Sequence, residues 1–108
     1  MTIKHLELCA ASTLTGTAAT KYTAPTATTT QIRQVTALNT TAAPVTLQIY
    51  IVALAGTAGT ANQLVSFSVP AGTSYLCPEL IGKIMPAGSF MQALGNGLTF
   101  TASGAEIS

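Results

Sequence analysis

A chain of 108 residues is one domain's worth of sequence, and a domain of that size can bury roughly two-thirds of the surface its unfolded chain exposes. Charged residues make up only 6% of it and the formal net charge is +1, where an ordinary soluble domain is about a quarter charged, so little Coulomb repulsion keeps copies apart. The four cations Lys4, Lys21, Arg33 and Lys83 are scattered, which argues against nucleic acid as a partner, because that role needs clustered Lys and Arg to displace counterions from several phosphates.

Thr and Ala supply 37 of the 108 residues, yet 48% hydrophobic content and a mean hydropathy of +0.50 point to burial rather than disorder. No charge falls between Arg33 and Glu79, but Thr, Gln, Asn, Ser, Pro and Gly interrupt that stretch, so it never reaches the ~18 consecutive apolar residues of a membrane span. At the N-terminus Glu7 breaks the one apolar run and Leu8 precedes Cys9 where a lipoprotein site wants a small residue, so the expectation is a chain made and kept in the cytoplasm. Cys9 and Cys77 are accordingly expected as two reduced thiols rather than a disulfide.

In chain order, the first expected strand runs from Ile3 to Ala11, with Leu6, Leu8 and Ala10 on one face and His5, Glu7 and Cys9 on the other. Residues 12–20 read as a connector, and 1–20 together as an N-terminal strand or arm ahead of a sandwich domain over 21–108. A short extended piece, Lys21 to Ala24, stops at Pro25. The next strand, Gln31 to Leu38, carries Ile32 out of phase with Val35 and Ala37, which predicts a β-bulge near Arg33 or Gln34.

A turn at Asn39–Pro44 leads to the best alternating strand, Val45, Leu47, Ile49, Ile51 and Ala53 facing one way, which is expected at the centre of a sheet. Residues 55–62 form an exposed tip before Val65, Phe67 and Val69 resume period two. Val69-Pro70-Ala71-Gly72-Thr73-Ser74 and Met85-Pro86-Ala87-Gly88-Ser89-Phe90 place Pro and Gly as in type I turns, and Gly95-Asn96-Gly97 between Phe90–Leu94 and Leu98–Ala102 predicts a tight hairpin. Helical periodicity with caps is missing, so the fold expected is all-β: a single antiparallel β-sandwich, jelly-roll-like, of about eight short strands.

The segments Tyr22-Thr23-Ala24-Pro25, Asn39-Thr40-Thr41-Ala42-Ala43-Pro44-Val45-Thr46, Val69-Pro70-Ala71-Gly72, Met85-Pro86-Ala87-Gly88 and Ser103-Gly104-Ala105-Glu106-Ile107 together resemble small β-sandwich virion proteins of tailed bacteriophages. Those motifs are turn chemistry on a β scaffold. The resemblance implies a virion structural protein, a capsid cement or decoration protein or else a tail, neck or fibre component with a carbohydrate- or receptor-binding role. It further implies a homo-oligomer, trimers being one form such groups take, in contact with a major capsid or tail protein and located in the virion.

The chemistry-bearing residues point away from catalysis. There is no Asp, and the lone His5 would have to serve any Ser-His-Glu or Cys-His arrangement. His5, Glu7 and Cys9 share a strand face, but same-face neighbours lie nearly 7 Å apart and a closed metal site needs four ligands. Glu7, Glu79 and Glu106 are too dispersed in sequence to suggest a paired-carboxylate glycosidase. Gly56-Thr57-Ala58-Gly59 lacks the Lys of a phosphate loop, and the glycosylation triplet Asn39-Thr40-Thr41 has no meaning without export. Tyr22, Tyr50, Tyr75, Phe67, Phe90 and Phe100 read as core or contact residues more readily than as a sugar platform. The expectation is no enzyme, no cofactor, no metal, and no catalytic residue.

Overall fold

Chain reversals at Pro, Gly and Asn break this Thr-rich sequence into short extended runs, and the computed structural model, which describes residues 2–108, pairs them as an antiparallel sandwich. The strands among the described residues are β1 (Ile3–Thr13), β2 (Ala19–Thr23), β3 (Thr29–Asn39), β4 (Val45–Val52), β5 (Gln63–Val69), β6 (Ser74–Tyr75), β7 (Ile84–Met85), β8 (Phe90–Leu94) and β9 (Leu98–Ile107). One sheet has the order β1-β9-β3, with β6 and β7 both on the far edge of β3; the other is β2-β8-β4-β5.

The pairing is nested. β1 pairs with β9, β2 with β8, β3 with β6 and β7, and β4 with β5, all antiparallel. Further pairing of β3 with β9 and β4 with β8 rolls this long folded ribbon into two sheets. That winding is a jelly roll of eight strand positions, one of them split into β6 and β7, which accounts for the eight strands expected from the sequence. The core lies between the sheets, with Ile32, Val35 and Phe100 of one meeting Leu47, Ile49 and Met91 of the other, all fully buried.

The bulge in β3 falls where the phase change put it. Ile32 pairs with Gly104 and Gln34 with Ser103, so Arg33 is the extra residue, and Ile32, Val35 and Ala37 all reach the core. β4 is an interior strand, as its alternation implies. Two register shifts in β1, after Glu7 and after Cys9, turn Ala10 out to solvent although Leu6 and Leu8 face inward. β1 runs two residues past Ala11, and Leu14, expected in a loose connector, is 1% exposed and held by hydrogen bonds to Leu98 and Gly97.

Three turn readings need correction. Gly95-Asn96-Gly97 does not close a hairpin, because β8 and β9 lie in different sheets. Leu98 N–H donates to the Gly95 carbonyl with Gly97 at φ 91°, a turn of the type II kind, which splays its flanking strands instead of pairing them. The freed amides of Gly95 and Gly97 donate to Thr15 and Leu14. In both Pro-Ala-Gly segments Pro opens the turn and Gly takes its third position, Gly72 at φ 73° and Gly88 at φ 82°, with Thr73 and Ser89 donating back to the Pro70 and Pro86 carbonyls. Positive φ at the third position belongs to type II, not type I.

Candidate interaction surface

The edge of the sandwich built from residues 74–85 is broken into two short strands. β6 and β7 hold only four residues of β3 between them, and the intervening segment detours through a 3₁₀ turn at Pro78–Leu80. Cys77 enters that turn with φ 47° and is buried, and Leu80 fills the interior beneath it. The detour is tied back to the sheet by Gly82 N–H donating to Ile32 and Ile32 N–H donating to Lys83. Packing Cys77 and Leu80 inward turns their neighbours outward, leaving Leu76 56%, Ile81 57% and Ile84 47% exposed.

Adjacent strands extend this apolar edge. Phe67 has the inward phase of Val65 and Val69, but among the described residues β5 is the last strand of its sheet and the ring is left 40% exposed. It stacks instead on Tyr75, centroids 4.1 Å apart and planes 11° from parallel, bridging the two sheets at their open side. At the other end of the same edge Ile51, Leu54, Lys83, Ile84 and Pro86 line a cleft of about 300 Å³ in which Leu54 is 73% exposed and Lys83 is the one cation.

Two tyrosine–glutamate pairs brace the ends of the sandwich. Tyr75 donates to both Glu79 oxygens, at 2.6 and 2.7 Å, and partial burial together with that carboxylate pushes its hydroxyl up to about 12. Tyr22, on β2, donates to Glu106 Oε2 on β9 at 2.6 Å and accepts from Thr30 on β3 at 2.8 Å, so one phenol clamps the two sheets. Burial and the Glu106 contact push Tyr22 up to about 12 as well, against the Thr30 hydroxyl, which favours the phenolate.

The residues capable of chemistry are not brought together. His5 and Glu7 stand exposed on β1, and Cys9 is half-buried with its thiol directed at Ala10 and Ser12. Among the described residues no group of three His, Cys, Asp or Glu side chains is placed to hold a metal. Cys9 and Cys77 are both free thiols, and burial, with the Glu79 charge adding to it, pushes Cys77 up to about 12, far from the thiolate a nucleophile needs. Of the three carboxylates, Glu79 and Glu106 are each taken up by a tyrosine and Glu7 lies on the edge strand. Asn39 is wholly buried, its amide donating to Ala43 and Val69 and its oxygen accepting twice from Thr41, so a glycan cannot attach there. Phe100 is core, Tyr22 is the clamp, and Phe67 and Tyr75 stack on each other.

Sequence reasoning took Phe67 for an inward residue of its strand and found no signal at all for the split of the sixth strand position. Pro78 and Gly82, which bracket the 3₁₀ turn, were the available marks of an interruption. No helix in the described residues is long and apolar enough to cross a membrane.

No family model matches the sequence, and no curated protein matches it. Among solved structures a chain from "Structure of infectious bursal disease virus Gx strain" is similar over 97% of this chain, at 12% identity and a TM-score of 0.41. This chain spans 31% of the length of that one.

Proposed function

We propose that the chain is a non-enzymatic structural subunit of a bacteriophage virion, most specifically a capsid cement or decoration protein that stabilises the particle through contacts with its own copies and with the major capsid protein. The observation that carries this reading is the apolar edge: Phe67, Leu76, Ile81, Ile84 and Leu54 exposed along one side of a chain only 6% charged. Scattered exposed leucines are ordinary, but a run of large apolar side chains bordering one open edge marks a surface that is covered in service. An uncharged surface of this kind suits permanent contacts, whose cores are depleted of charge. Repeated copies on a lattice add avidity, and every contact made only in the mature particle opposes its disassembly. The chemistry such a role requires is none, which agrees with carboxylates bonded to tyrosines and a thiol held protonated.

Gold labelling and quantitative mass spectrometry of purified phage particles test this. The expected result is the protein on the shell in a fixed copy number per major capsid protein; absence from intact particles would overturn the proposal. A Leu76→Ser, Ile81→Ser double variant is expected to bind particles at least about tenfold more weakly while unfolding at an unchanged denaturant midpoint, as surface apolar groups removed from a contact lose affinity without loss of fold.

A further inference from the structure

β1 is the outermost strand of its sheet, and among the described residues nothing pairs with its far side. Thr2 and Ser108 exchange both backbone hydrogen bonds, at 2.6 and 2.9 Å, and from Ile3 opposite Ile107 to Glu7 opposite Ser103 the register is unbroken. Antiparallel ladders alternate bonded and non-bonded pairs, so Lys4 and Leu6 turn their N–H and C=O towards β9 while Ile3, His5 and Glu7 direct theirs outwards. The side chains of His5 and Glu7 are exposed, and Leu6 is packed against the core but only partly buried.

We propose that this edge pairs antiparallel with the same edge of a second copy, about a two-fold axis at Leu6. The inference rests on the reading of the chain as an assembling subunit and names one of its contacts. A two-fold pairing that keeps both sheets facing the same way must centre on a residue, and the charges choose which. Centred on Lys4 it sets two ammonium groups face to face, centred on Glu7 two carboxylates, and centred on His5 two imidazoles with Glu7 opposite Ile3. Centred on Leu6, it places each His5 opposite the partner's Glu7, an imidazole donor against a carboxylate, twice. The same register makes His5 and Glu7 the hydrogen-bonded pairs, so their outward N–H and C=O groups bond reciprocally, and Leu6 meets Leu6 on the core side, where each completes the other's burial. A single short ladder buries less than the ~1,000 Å² of a stable interface, so the free dimer is weak, populated at high micromolar protein and favoured by the high local concentration of an assembly.

The register is tested by cross-linking in full-length protein carrying Cys9→Ser. Non-bonded antiparallel partners sit with Cα atoms about 4.5 Å apart, inside the range a disulfide spans, so Leu6→Cys is expected to form a covalent dimer at least about tenfold faster than His5→Cys or Glu7→Cys at high micromolar protein. In sedimentation velocity without the cysteine changes, Glu7→Lys is expected to weaken dimerisation about tenfold, and His5→Glu with Glu7→Lys to restore it. Faster cross-linking at position 5 or 7, or a Glu7→Lys variant that associates like wild type, overturns the β1 pairing while leaving a self-associating subunit in place. A wild-type chain that stays monomeric up to high micromolar protein likewise overturns the β1 pairing, and one that is also absent from particles overturns both.

Discussion

Ala27 and Ala55 sit at φ 59° and 65°, in the left-handed region where a Cβ is crowded by the following carbonyl. Ala27 occupies the same turn position as Gly72 and Gly88, with Thr28 donating back to Pro25 as Thr73 does to Pro70, so of the three turns that Pro25, Pro70 and Pro86 open, one does without the glycine. Ala27→Gly is expected to raise stability by about 0.5 kcal/mol, strain relief slightly exceeding the added unfolded-state freedom, seen as a higher urea midpoint at unchanged slope. The opposite case is Gly104, where an added Cβ would collide with the Gln31 carbonyl oxygen beside the bulge and press on Leu8. Gly104→Ala is expected to cost about 3 kcal/mol, because the obstacle is ladder backbone and cannot rotate away. Calorimetry that shows less than 1 kcal/mol, on the scale of an ordinary surface change, would contradict that close approach.

At the level of elements, the β3–β4 turn depends on Asn39. Its backbone is held by Thr73 and Gly72, and its side chain joins the turn residues Thr41 and Ala43 to Val69 at the end of β5. Replacing Asn39 by Ala strands several buried partners at once and is expected to lose about 2–4 kcal/mol, read as a lower thermal midpoint and faster amide exchange at Gly72 and Thr73. The Gly95–Leu98 turn shows why a local signal misleads. Asn-Gly is compatible with a hairpin, but the bonds that decide the matter are made with Leu14 and Thr15, some eighty residues earlier in sequence. Whether a glycine-rich reversal stays within one sheet or crosses to the other is set by which backbone claims its amides.

For the whole molecule, the Tyr22 clamp joins three strands of both sheets and makes stability depend on alkaline pH. Tyr22 and Tyr75 are raised from 10.0 to about 12 and Cys77 from 9.0 to about 12. A group whose folded value lies above its unfolded one favours the fold while protonated in both states, and that advantage is lost as pH climbs through the folded value. Urea midpoints are therefore expected to hold up to about pH 9 and then fall towards pH 12, with Tyr22→Phe showing a shallower fall. The same variant leaves the buried Thr30 hydroxyl without its partner, at a cost of about 1–3 kcal/mol near neutral pH.

Period-two alternation and turn residues were enough to identify an all-β sandwich, the interior place of β4 and the bulge at Arg33, because each depends on side-chain phase along one strand. The near absence of charge is likewise a property of composition alone, and the expectation that copies meet little Coulomb repulsion rests on it. Which turns cross between sheets, the split of the sixth strand position, the exposure of Phe67 and the union of Tyr22 with Glu106 were decided only by the rolled tertiary structure. Each is a matter of what lies beside a strand, and contact between residues as far apart in sequence as Tyr22 and Glu106, 84 positions, leaves no mark in the local pattern of either partner.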